Sequence, residues 1–152
     1  MGWATAVGVG LSLIGANKEA RGYEETGRRA KEKGREQKVF NYSTAQQVMA
    51  SGQAAYLEEI RQSELMASRA VAVAAVGGSV SDVDNLIADI HGEGVYRASL
   101  ALRDYEMEAE SLRFSGDQAA EYGADQEESY RGKAKATRYN AFAGLFGSGV
   151  FD

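Results

Sequence analysis

The chain has no cysteine and no proline, and only one histidine and one tryptophan. Without cysteine there is no disulfide framework and no thiolate chemistry, and the redox compartment stays open. Without proline nothing clamps φ or deletes a backbone donor, so helices of great length are permitted. The lone His91, on a glycine-flanked turn of helix, has no second histidine or cysteine to complete a metal set, and it reads as a surface or interface residue. Asp82, Asp84 and Asp89 lack the central glycine and the closing bidentate glutamate of a calcium loop, so helix capping accounts for them better. Gly8-Val9-Gly10 and Gly147-Ser148-Gly149 lack the Lys-Ser/Thr pair and the strand-to-helix setting of a phosphate loop. The expectation is a non-enzyme with no catalytic residues, no cofactor and no metal.

What the chain does have is alanine, glycine and charge in blocks. Each glycine inside a helix costs about 1 kcal/mol relative to alanine unless a neighbour needs the close approach. Eighteen glycines in 152 residues therefore predict packed partners. The formal charge of −5 is mild, but residues 18–38 carry eight basic and five acidic side chains. Residues 104–128 carry nine acidic side chains against Arg113, and residues 131–138 are purely basic. The start lacks the positively charged region of a secretory signal, so export by a standard signal is not expected.

The pattern is organised around residues 75–86, Ala-Val-Gly-Gly-Ser-Val-Ser-Asp-Val-Asp-Asn-Leu. Gly77 and Gly78 stop a helix, and Ser81 with Asp84 three residues later has the spacing of a capping box that starts another. This predicts the tip of a helical hairpin at residues 77–81, between a first long helix at 17–76 and a second at 82–139. Gly34 and residues 41–43 are points where the first helix is open to interruption. Within it Glu24/Arg28 and Glu25/Arg29 have a favourable i,i+4 spacing and Glu32/Glu36 a repulsive one. The basic residues there alternate with glutamates, which argues against a nucleic-acid stripe.

Ala45, Val48, Gly52, Tyr56, Ile60, Ala67, Ala70, Val71 and Ala74 form a small-residue stripe that another helix can approach closely. In the second helix Val83, Ile87, Gly94, Ala98, Ala101, Leu102, Tyr105, Ala109 and Leu112 follow a three/four alternation, an apolar seam. Folding back at the glycines sets positions whose numbers add to roughly 158 opposite one another, so the basic block at 28–35 meets residues 121–131 and both ends arrive together. One hairpin buries one seam, and subunit contacts are expected at Val48, Gly52, Tyr56, Ala98 and Tyr105.

Two long stretches near the ends carry no charge, residues 3–16 and 141–151. Residues 3–16 would span about 21 Å as a helix, short of the roughly 30 Å hydrocarbon core, so they form no lone transmembrane helix. Their period is ambiguous. With period two, Trp3, Val7, Val9, Leu11 and Leu13 share a face opposite Gly8, Gly10 and Ser12, which suits strands of an oligomeric barrel. With period 3.6, Trp3, Val7, Leu11 and Ile14 line one side. Residues 140–152 form a second apolar end with Phe142, Leu145 and Phe146. These eight residues, Trp3, Val7, Val9, Leu11, Leu13, Phe142, Leu145 and Phe146, are the candidate membrane contacts, with docking on a neighbouring subunit as the other use of such a segment.

The arrangement resembles the small internal virion, or ejection, proteins of short-tailed bacteriophages of the podovirus type. The resemblance rests on Met1-x-Trp3-Ala4 before an apolar glycine/alanine start, a long alanine- and glutamine-rich helix, Gly77-x-Ser79-Val80-x-x-Val83 before an amphipathic helix, and Arg138-Tyr139-Asn140-Ala141 leading into a glycine/alanine-rich tail. It covers most of the chain. It implies a protein held in the virion interior or at the portal, released through the tail, and helping to form a conduit for the genome across the host envelope. The partners so implied are further copies of the chain, other internal virion, portal or tail proteins, and the outer membrane, with nucleic acid met only indirectly. A permanent virion spacer between portal and core proteins is the alternative. A secreted hairpin effector is disfavoured, because Gly77-Gly78-Ser79 stands where its Trp-x-Gly turn would be. The fold expected is therefore all-α: an elongated antiparallel helical hairpin of one domain, with apolar, glycine-rich ends, assembled as an oligomer.

Overall fold

A computed structural model of the chain describes the backbone of residues 3–77 and 83–147 and the side chains of residues 13–77 and 83–144. It is all-helical over those residues, with α1 at Trp3–Gly77 and α2 at Val83–Gly147. The turn assigned to Gly78 and Ser81 lies outside the described residues. Gly77 is the last residue of α1, and Asp84 sits in the first turn of α2, where a carboxylate favours the positive end of the helix dipole.

Both helices exceed the expected lengths. α1 takes in residues 3–16, so the period-two reading of that segment is not realised in this fold, and α2 continues past residue 139 to Gly147. With no proline in either helix, no residue removes a backbone donor, and propagation past a single glycine costs less than nucleating a new helix. α1 also passes Gly34 and residues 41–43 without a break. Serine and threonine inside the helices turn their hydroxyls back onto the preceding turn: Thr26 donates to the Gly22 carbonyl at 2.8 Å, Thr44 to Phe40 at 3.0 Å and Ser99 to Val95 at 2.7 Å. Glu25–Arg29 and Glu93–Arg97 brace successive turns at 2.5 and 2.8 Å. In each pair glutamate precedes arginine by four residues, the favourable order.

The chain divides into two compact units, a terminal one of Met1–Val39 with Ser115–Asp152 and a central one of Phe40–Phe114. Within each, α1 and α2 pack against one another in antiparallel fashion. In the terminal unit Gly27 meets Tyr130 and Glu127, and Gly34 meets Ala119 and Gly123. In the central unit Gly52 meets Tyr105, and Gly94 meets Ser63.

The buried layer consists of small residues. Ala20, Ala45, Ala67, Ala98, Ala109 and Ala134 are the buried apolar side chains, and among the described residues no large side chain is fully buried. Where only alanine and glycine stand between two helices their backbones come close, and the gain is in contact density more than in apolar area per residue. The buried polar residues are Asn41, Ser63 and Glu127. Ser63 is satisfied by its own helix, its hydroxyl donating to the Ile60 carbonyl at 2.8 Å.

Candidate interaction surfaces

Three surfaces follow from this packing: the seam, the large apolar side chains that point away from it, and a charged groove on the terminal unit.

The seam takes up several of the residues expected at subunit contacts. Gly52 is buried against the Tyr105 ring of the same chain, and Ala98 is 0% exposed. Val48, Tyr56 and Tyr105 are half-buried along the same line, as are Ile60, Ala70 and Ala74. Val71 alone of the α1 stripe is exposed. Two helices of a single chain thus cover the small-residue faces, because those faces oppose each other across the hairpin.

The surface left for a partner is made of large side chains. In the central unit Tyr96, Leu100 and Met107, with Phe114 at its end, are exposed and recur along α2 at spacings of four and seven residues. They share the face of α2 turned away from Ala98, Tyr105 and Ala109. On α1 of that unit Leu57, Leu65, Val73 and Val76 are exposed as well. The alternation in residues 83–112 that marks the seam is strong enough to mask this second stripe. Its signal in the sequence is the recurrence of Tyr, Leu, Met and Phe at positions that a single seam leaves unused.

The charged groove forms where the basic block of α1 meets the end of α2. Glu24, Arg28, Glu127, Arg131, Lys135 and Arg138 line it, and Lys31 adjoins it beside Arg131 and Lys135. Glu127 is its anchor, only 8% exposed. Its carboxylate accepts from Lys31 Nζ at 2.6 Å and from Arg131 at 2.9 Å. The Lys31 hydrogen bond, then the Arg131, Lys31 and Arg35 charges, hold it below the usual carboxylate range against the opposing effect of burial. Arg138 reaches across to Glu24 at 3.0 Å, and Lys38 to Asp117 at 2.7 Å. Glu24 therefore pairs between helices and not with Arg28, which stands 3.9 Å from Glu32. Of the block expected to face α2, Lys31 makes the contact, while Arg29 is held by Glu25 on its own helix. Nearby, Tyr23 and Tyr130 stack with centroids 6.3 Å apart, and Lys133 sits 5.0 Å from the Tyr130 centroid. Tyr23 donates to Glu19 at 3.1 Å, which holds its phenol above the ordinary range.

At the two ends, Leu13 is half-buried and Phe142 is exposed. The side chains of Trp3, Val7, Val9, Leu11, Leu145 and Phe146 lie outside the described residues. Among the described residues no helix is long and apolar enough to cross a membrane, and no group of His, Cys, Asp and Glu is placed to hold a metal ion. His91 is exposed. Comparison of the chain with protein-family models, with curated proteins and with solved structures gives no match.

Proposed function

We propose that the chain is an internal virion protein of a short-tailed bacteriophage, ejected through the tail at infection, whose copies assemble and help to form a conduit for the genome across the host envelope. The observation that carries this reading is the inversion of the packing: the fully buried apolar positions of the seam are alanines, with glycines beside them, while Leu57, Leu65, Tyr96, Leu100 and Met107 face outward. A chain so arranged has its interior satisfied and its large apolar side chains available to other chains or to lipid. The uncharged stretches at residues 3–16 and 141–151, with the family resemblance, direct the lipid contact to Trp3, Val7, Val9, Leu11, Leu13, Phe142, Leu145 and Phe146. Neither end spans a bilayer alone, so insertion needs several subunits that satisfy each other's backbone groups.

Mass spectrometry of virions before and after ejection tests the location: the chain should be present in the full particle and lost from the emptied one. Dye release from outer-membrane-lipid liposomes tests the contact, with intact protein compared with Val9→Asp and with a deletion of residues 2–16. Leakage from the intact protein alone is expected. No leakage from any of them, with the chain retained in emptied particles, would leave a permanent spacer between portal and core proteins.

A further inference from the structure

We infer that the groove of the terminal unit binds the phosphate groups of anionic lipid headgroups, through Arg28 of α1 and Lys135 of α2, with Arg131 and Arg138 beside them. This rests on the envelope reading above and gives it a lipid preference. The groove holds four cationic side chains against two carboxylates, Glu24 and Glu127. Those carboxylates are engaged: Glu127 by Lys31 and Arg131, Glu24 by Arg138. Arg28 has only the 3.9 Å approach of Glu32, both side chains more than half exposed. Lys135 is exposed and lines the groove with Glu128 on its far side, so Arg28 and Lys135 are the cations there least committed to a carboxylate.

Two observations favour a lipid surface over a nucleic-acid strand. The cations occupy a short stretch, and α2 turns acidic on its central side, with Asp117, Glu121, Asp125 and Glu128. A phosphate backbone running along the unit would meet repulsion within about two helical turns. In the other direction, Tyr139 is 76% exposed and Phe142 57% exposed, one and four residues beyond Arg138. Basic side chains followed at once by exposed aromatics suit a headgroup layer, where cations meet phosphates and rings rest at the boundary with the acyl chains.

The test is flotation of the full chain with vesicles of phosphatidylcholine alone and of phosphatidylcholine with phosphatidylglycerol, dye release being read in parallel. The variants are Arg28→Gln/Lys135→Gln and the charge-matched control Arg61→Gln/Arg69→Gln in the central unit. Binding to the anionic vesicles should fall about thirtyfold in the first variant, as expected for two basic side chains at an anionic surface, and hold in the control. Equal binding by both variants, or wild-type binding indifferent to phosphatidylglycerol, would overturn the groove while leakage kept the envelope reading alive. Failure of the wild type to partition to either vesicle would remove the envelope reading as well. Two further arms read other anions. A loss of duplex DNA binding in the first variant without a loss of lipid binding, or binding of inorganic phosphate that the first variant loses while its vesicle binding holds, would assign the groove elsewhere and overturn the inference.

Discussion

Gly34 and Gly123 lie back to back across the seam, and a Cβ built on either would stand 3.2 Å from the Cα of the other. The same Cβ on Gly34 would meet the Ala119 carbonyl oxygen at 2.5 Å, and that on Gly123 would meet the Ala30 carbonyl oxygen at 2.8 Å. These obstacles are backbone, so only a separation of the helices relieves them. Gly34→Ala and Gly123→Ala each gain about 1 kcal/mol of helix propensity, but overpacking of this kind costs about 1 to 3 kcal/mol. Each should lower the thermal midpoint followed by circular dichroism. Gly132→Ala, with nothing within 4 Å of its Cβ, should raise it. A midpoint raised equally by all three would show that the backbones do not touch there.

The opposition of Gly94 and Ser63 offers a test of register. A Cβ on Gly94 would overlap the Ser63 side chain, so Gly94→Ala should destabilise the chain. Ser63→Gly removes the obstructing atoms, and the double variant should recover most of that loss. Additive effects in a double-mutant cycle would mean that the two positions do not face each other.

How much of this was legible in the residues can be judged from the same pairs. The break at Gly77-Gly78 with the alternation on both sides leads to antiparallel packing, and Lys31–Glu127 and Gly52–Tyr105 fall close to the register it implies. The cover was not legible. Periodicity says that Gly52 and Ala98 lie on packing faces but not which helix packs there, so a second subunit is expected where α1 and α2 cover each other. Gly34 misleads for a related reason: a missing Cβ weakens an isolated helix and also permits a close crossing, and only the partner decides which effect prevails. The turn residues Gly78 and Ser81 lie outside the described residues.

Acid should loosen the terminal unit through Glu127. Its folded carboxyl titrates below the ordinary value because Lys31 and Arg131 favour the charged form. A depressed folded pKa contributes stability above the unfolded value of about 4.3, and that contribution is lost as pH falls through the folded value. Glu127→Gln should therefore lower the urea midpoint at pH 7, with the gap to wild type closing as pH falls below about 4. A gap independent of pH would place the effect in packing instead of charge.

The Glu24–Arg138 bridge should contribute far less. Both side chains are over 40% exposed, so their coupling energy should lie within the range of about 0.2 to 1 kcal/mol and shrink in high salt. A double-mutant cycle with Glu24→Gln and Arg138→Gln, run at low and high ionic strength, reads both quantities. A coupling well above that range, or one insensitive to salt, would show that the pair is shielded from solvent.

Assembly is expected to depend on the outward stripe of α2. Leu100→Lys and Met107→Lys leave the seam untouched, so helicity should persist while sedimentation shifts toward the single chain. Loss of helicity would mean that these side chains support the fold itself, and unchanged sedimentation would mean that copies meet elsewhere.

A seam of alanine and glycine also has a mechanical character. Among the described residues no large side chain is fully buried, so parting the helices pulls only half-buried groups such as Tyr105 away from their neighbours. The work of separation is spread in small, similar steps, with firmer catches where Lys31 holds Glu127 and Lys38 holds Asp117. Under tension such a pair is expected to open as a zipper and not as a lock, one small contact after another, with Tyr105 on Gly52 and Tyr130 on Gly27 the largest groups to be refitted on closing.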